Sequence, residues 1–237
     1  MEKQTGSVQI EYFTDVLCIW AYAGQARIDE LRRNFGPRLE IRYRFFPLFG
    51  AAHARIDEGW RNQGGIQAFN RHLSEVASQW THIAIHPEIW LKTAPASSVP
   101  AHLFLKAIQL LEARGELQTN NTATAPGRNA FEEAVWHIRE RFFQDGEDVA
   151  TRRVQEDIAR GLGFSVDQIW DLIDSGEAHA ELHLDMLAKE QHQIPGSPCL
   201  VLNDGRQQLY GNVGYRIMEA NVTQLLSDPD FGAASWC

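Results

Sequence analysis

Thr14-Asp15-Val16-Leu17-Cys18-Ile19-Trp20-Ala21-Tyr22-Ala23-Gly24 is the stretch whose reading decides the fold. Ahead of it, Val8 to Phe13 is a short apolar run of strand length and composition. After it, Gly24, Ile28, Leu31 and Phe35 recur at i, i+4, i+7 and i+11, with Gln25, Arg27, Glu30, Arg32 and Arg33 on the other side. That is the period of an amphipathic helix, so Cys18 stands where a strand hands over to a helix. The first turn of a helix carries N–H groups without intrahelical partners and the positive end of the macrodipole. Both favour a thiolate over a thiol, so the sequence predicts a reactive cysteine rather than a structural one.

Working outward, Gly36-Pro37 ends the helix, and Leu39, Ile41, Tyr43 and Phe45 alternate with Glu40, Arg42 and Arg44 as a strand with one buried face does. Strand, crossover helix and strand predict a right-handed unit with parallel strands. From Ala51 to Gln193 the patterning is helical, and six helices are expected. They cover Gly65–Trp80, Val99–Arg114, the Phe131/Val135/Ile138/Phe142 stripe, the Val154/Ile158/Leu162 stripe ended by Gly163, a segment opened by a Ser165-x-x-Gln168 capping box, and Glu177–Gln191. The polar run from Thr119 to Gly127 reads as a loop. The tail returns to strand patterning at Cys199-Leu200-Val201-Leu202-Asn203, turns at Asp204-Gly205 and comes back over Gln207 to Tyr210. A last helix follows Gly211-Asn212-Val213-Gly214, with Ile217, Ala220 and Leu225 as its apolar positions.

Composition narrows the function classes. A chain of 237 residues with 44% hydrophobic side chains can bury a sizeable core, as one domain or as one domain with an insertion. The formal net charge of -9 disfavours nucleic acid and anionic membrane as partners. No apolar run reaches membrane-spanning length. Met1 to Ser7 is polar and leads straight into a strand without a secretory apolar region, so a cytoplasmic location is expected. Three cysteines, Cys18, Cys199 and Cys237, are too few for a disulfide framework, and none has metal-site spacing with another. His82 and His86 have the i, i+4 spacing of a helical chelate, but no third ligand is evident and Pro87 follows, so no metal is expected.

The central stretch resembles the active-site segment of the DsbA-type thioredoxin-like family, especially its FrnE-like branch, which reads D-x-x-C-P-W-C-Y-x-G. Asp15, Cys18, Trp20, Tyr22 and Gly24 match position by position. Ile19 replaces the usual proline, and Ala21 stands where the second cysteine belongs, giving C-x-x-A. The family is related to the kappa-class glutathione transferases and the 2-hydroxychromene-2-carboxylate isomerases. The resemblance implies an α/β thioredoxin-like fold, with residues 1–50 and 194–237 as the thioredoxin-like domain and 51–193 as an inserted all-helical subdomain. Gly196-Ser197-Pro198 is similar to the family's G-V-P segment, which implies a cis proline against the active thiol. Such a proline exposes the Ser197 backbone for pairing with an extended peptide thiol such as glutathione. Trp20 is expected to wall the site, and Asn212 to cap the last helix and meet a small anion there. Alternation along the strand turns Cys199 away from Cys18 if Pro198 faces it.

The resemblance with one active-site cysteine implies a thiol-disulfide oxidoreductase of monothiol type. Cys18 then forms mixed disulfides with glutathione or another thiol substrate, glutathione acts as co-substrate rather than bound cofactor, and Trp20, Ser197, Pro198 and Asn212 bind it. A glutathione-dependent isomerase or transferase is the second expectation, because the related enzymes work without a dithiol. A non-catalytic scaffold whose helical part binds a peptide or partner is the third. The sequence leaves the oligomeric state open, a dimer included.

Overall fold

The computed structural model describes residues 6–120 and 127–227. Cys237 and most of the loop read from Thr119 to Gly127 lie outside the described residues.

Strand β1 (Val8–Thr14) runs into helix α1 (Ile19–Phe35), which a Gly36–Arg38 3-10 turn closes before strand β2 (Leu39–Phe45). Gly36 closes α1 at φ 53°, a conformation that carries a steric penalty for residues with a Cβ. β1 and β2 pair in parallel, Val8 opposite Leu39 through Thr14 opposite Phe45, as the crossover rule requires. At the other end of the chain, β3 (Cys199–Leu202) lies antiparallel to β1 with Phe13 opposite Cys199, and β4 (Gln207–Tyr210) folds back on β3. The sheet order is β2-β1-β3-β4. The hairpin turn holds Asn203, Asp204 and Gly205 at positive φ, a conformation these residue types tolerate well.

Between β2 and β3 lie α2 (Ala52–Trp60), α3 (Gly65–Ala77), α4 (Ile89–Lys92), α5 (Val99–Ala113), α6 (Ala130–Phe143), α7 (Arg152–Leu162), α8 (Val166–Asp174) and α9 (Glu177–Gln191). The six expected helices correspond to α3 and α5 to α9; α2 and the single turn α4 are additions. Ser165 accepts from the Gln168 N–H at the start of α8, whereas the reciprocal capping box forms at Asn129 and Glu132, where it opens α6. The last helix, α10 (Tyr215–Ser227), buries Met218, Val222 and Leu225, while Ile217 is 54% exposed. The apolar face expected through Ile217 is thus corrected by about a third of a turn.

One continuous core joins the sheet to the helices: Tyr43 and Phe45 of β2 pack edge-on against Phe131 of α6. A buried ionic cluster fastens α9 and α5 to the same strand. Asp185 accepts from the Phe45 N–H at 2.8 Å and pairs with Lys106 at 2.8 Å and Arg44 at 3.1 Å. The far side of the sheet has its own small cluster of Phe13, Phe46, Ile194, Cys199 and Val201.

Candidate active site

Cys18 is the residue on which α1 opens, with extended backbone (φ −83°, ψ 114°) and no side-chain cap of its own. Its carbonyl accepts from the Ala21 and Tyr22 N–H groups, so the first helical turn begins at the sulfur-bearing residue. The loop that places it is built around Asp15. This fully buried carboxylate accepts from the Leu17 N–H at Oδ1 (2.8 Å), and at Oδ2 from the Phe49 N–H (2.9 Å) and the Ser98 hydroxyl (2.7 Å). His102 Nε2 stands 3.6 Å from Oδ1 and 3.3 Å from the Val16 nitrogen. Burial alone would raise the Asp15 pKa. The His102 imidazole and the N–H donors outweigh it and hold the carboxyl below its usual range. Two segments distant in sequence, one at Phe49 and one spanning Ser98 to His102, thus converge on one carboxylate to fix the Cys18 loop.

The segment facing the sulfur is Pro195 to Pro198. The Ser197–Pro198 peptide bond is cis. The Cys18 thiol donates to the Ser197 carbonyl at 3.3 Å, and the Ser197 hydroxyl accepts from the Asp15 N–H at 3.0 Å. That hydroxyl keeps its own proton to donate, and the Ser197 side chain pulls the thiol pKa down, as do the N–H groups of Ala21 and Trp20. Burial is the larger effect, the nearby Asp15 charge adds to it, and together they push the Cys18 thiol up. The direction read from the helix terminus alone is therefore corrected. Only 4% of Cys18 is exposed, and desolvation of the anion outweighs the helix-end donors.

Cys18 opens on a cavity of about 660 Å³, within the usual size of small-molecule sites. Trp20 and Ser197 line it beside the sulfur. The opposite wall comes from α2, α3 and the residues flanking them, including Arg55, Glu58, Trp60 and His72. Pro198 follows the cavity wall and faces α1, on a small recess with Tyr12 and Gly24. Asn212 is not on the cavity wall; its side chain bonds Arg27 on the exposed side of α1. Cys199 points to the far-side cluster, where its sulfur accepts from Gln208 at 3.4 Å. His82 Nε2 lies 2.9 Å from the Ala23 carbonyl, and His86 Nδ1 accepts from the Glu88 N–H. Among the described residues no three His, Cys, Asp or Glu side chains gather as a metal site requires, and no helix is long and apolar enough to cross a membrane.

Sequence reasoning missed Ser98, His102 and the whole α2 wall. The α2 signal was present as Ala52, Ile56 and Trp60 at i, i+4 and i+8. Ser98 and His102 carry no local signal, because their role arises from contact with Asp15 across more than 80 residues.

The family model for the DSBA-like thioredoxin domain matches residues 9–222, which places both the Cys18 loop and the α2–α9 insertion inside one family architecture. The chain belongs to that family and has its thioredoxin-like fold. No curated protein sequence matched the chain. Among solved structures it is similar to the probable DsbA oxidoreductase of Streptomyces coelicolor, with 18% identity, a TM-score of 0.69, and coverage of 97% of this chain and 94% of that one. The cytosolic disulfide reductase DsbM of Pseudomonas aeruginosa also aligns, with 18% identity, a TM-score of 0.63, and coverage of 92% and 99%. So does a 2-hydroxychromene-2-carboxylate isomerase, with 15% identity, a TM-score of 0.61, and coverage of 95% and 100%. At these identities the likeness is one of fold.

Proposed function

We propose that this protein is a monothiol thiol-disulfide oxidoreductase using glutathione or a similar small thiol as co-substrate. The observation that supports it most is a single thiol at the start of α1, bonded to the Ser197 carbonyl and opening on a cavity of small-molecule size. Ala21 removes the usual resolving thiol, and the other described thiol, Cys199, sits behind the sheet. Exchange needs only one protein sulfur. The Cys18 thiol gives its proton to solvent, and the thiolate attacks one sulfur of glutathione disulfide. The Cys18–glutathione bond forms as the old S–S bond breaks, and the departing glutathione thiolate takes up a proton. A second thiolate then attacks the glutathione sulfur of the adduct, leaves as a disulfide and returns Cys18 reduced. Trp20 walls the ligand, and the Ser197 backbone pairs with its peptide groups. A DsbM structure with GSH has the same fold, with 17% identity and a TM-score of 0.59, which is consistent with a thiol ligand here. We place the activity in the cytoplasm, in keeping with free thiols.

A second reading has its own observation. The buried Cys18 is held protonated and already donates a hydrogen bond. In an isomerase or transferase of the hydroxychromene-carboxylate type, that thiol would donate to the sulfur of bound glutathione without exchanging. The assay that separates them is reduction of a small mixed disulfide by glutathione, coupled to glutathione recycling. Exchange predicts turnover that Cys18→Ser abolishes. No turnover by the folded wild type, with glutathione still bound, selects the second reading.

A further inference from the structure

The wall of the cavity opposite Cys18 carries two side chains of fixed charge, Arg55 and Glu58, one turn apart on α2. Neither forms an ion pair with the other or with another described residue, whereas Asp57 on the same helix is paired with Arg61. Arg55 is not a loose surface cation. Its guanidinium lies over the Phe49 ring, 5.4 Å from the centroid, and the Phe49 N–H is bonded to Asp15, which fixes the Cys18 loop. The cation is therefore referenced to the Cys18 loop through Phe49 and Asp15. Beneath the two charges the wall is apolar and aromatic, with Trp60 packed on Phe69 at 5.6 Å and on His72 at 5.1 Å.

Residues three apart on a helix face the same way, with Cβ atoms about 5–6 Å apart. A ligand carrying only negative charge meets Glu58 as well as Arg55, and a cationic ligand meets the converse conflict. A ligand with both signs on one carbon satisfies both residues. We propose that Arg55 and Glu58 form the subsite for the zwitterionic amino-acid end of a small thiol or disulfide, Arg55 taking the α-carboxylate and Glu58 the α-ammonium. The substrate class is then low-molecular-weight thiols with a free amino-acid end, such as a γ-glutamyl peptide, rather than protein disulfides, whose chain interiors offer neither charge. The proposal rests on the exchange reading only in placing the ligand's sulfur at Cys18.

The test uses a ligand that cannot exchange. S-methylglutathione is titrated calorimetrically into the full-length wild type, Arg55→Gln and Glu58→Gln, alongside an S-methyl analogue whose γ-glutamyl ammonium is replaced by hydrogen. Both side chains are exposed, and a thermal scan of each variant confirms that it is folded. Each substitution should weaken S-methylglutathione about tenfold, the loss of one charge-assisted contact at an exposed site. Glu58→Gln should tighten the ammonium-free analogue, because it removes the carboxylate that opposes the ligand's own, while Arg55→Gln weakens both ligands. Wild-type affinity in both variants, no binding by the wild type, or equal loss of the two ligands in Glu58→Gln overturns the proposal. Glutathione disulfide adducts at Cys18 are scored separately. The binding pattern without an adduct leaves the subsite standing and removes exchange. An adduct with unchanged binding in the variants leaves exchange standing and removes the subsite.

Discussion

Replacing Ser197 by alanine removes one oxygen that touches both halves of the active-site loop. In the wild type this hydroxyl accepts from the Asp15 N–H at 3.0 Å, and the Ser197 side chain favours the Cys18 thiolate, opposing the effect of burial. A hydrogen bond to a charged group contributes about 1.5–3 kcal/mol, and one pKa unit corresponds to about 1.36 kcal/mol. Ser197→Ala should therefore raise the Cys18 pKa by about one to two units. Thiolate nucleophilicity rises with pKa with a slope near 0.4–0.5, so about half of the lost thiolate fraction is recovered in intrinsic reactivity. The net rate at neutral pH should fall roughly three- to tenfold. The buried Asp15 N–H loses its acceptor, which should cost about 1–3 kcal/mol of stability. The assay is iodoacetamide alkylation of Cys18 across alkaline pH, followed by peptide mass, with Cys199 as internal reference and Ser197→Thr as the variant that keeps the hydroxyl. A midpoint that stays in place or moves down in the folded Ser197→Ala protein refutes the donor role.

Other substitutions probe the remaining supports. Asp15→Asn should destabilise the fold by about 3–5 kcal/mol, the usual cost of breaking a buried charged pair from one side. Because the Asp15 carboxyl titrates below its usual range, the stability it contributes is present above about pH 4 and lost as pH falls through and below that value. Urea midpoints measured from pH 7 down to pH 3 should fall less steeply for Asp15→Asn than for the wild type. The same variant should lower the Cys18 pKa, since the Asp15 charge opposes the thiolate; an upward shift contradicts this electrostatic assignment. Ala21→Cys places a thiol one turn beyond Cys18 on α1, within disulfide reach. It should close an internal disulfide on oxidation and work without added thiol, and failure to lose two mass units counts against exchange geometry at this site.

The parts of the fold written in short-range patterns were legible. The strand before Cys18, the helix after it, the parallel β2 and the β3–β4 hairpin each follow from periodicity and turn residues. The resemblance supplied the pairing of the Cys18 loop with Gly196-Ser197-Pro198, which periodicity cannot give. Helix α2 escaped because it lies just after Phe46-Pro47-Leu48-Phe49-Gly50, a loop-like stretch, and exposes most of its nine residues. Its apolar stripe of Ala52, Ile56 and Trp60 is thin, yet it carries one wall of the cavity. Ile217 was read inward because it is apolar, whereas the backbone register of α10 turns Met218, Val222 and Leu225 to the core. The acidity of Cys18 was misread for a related reason. A helix terminus is visible in sequence, but how much protein covers the sulfur is not, and coverage decides the direction. The convergence of Phe49, Ser98 and His102 on Asp15 is wholly tertiary.

The central claim is that Cys18 exchanges sulfur with a small disulfide, and intact-mass measurement after incubating the reduced, folded protein with glutathione disulfide tests it most directly. The account predicts one glutathione per chain, mapped to the peptide containing Cys18, released by dithiothreitol, formed faster as pH rises, and absent from Cys18→Ser. A folded wild-type protein whose Cys18 peptide stays unmodified, or whose adduct maps to Cys199 or Cys237 instead, contradicts it.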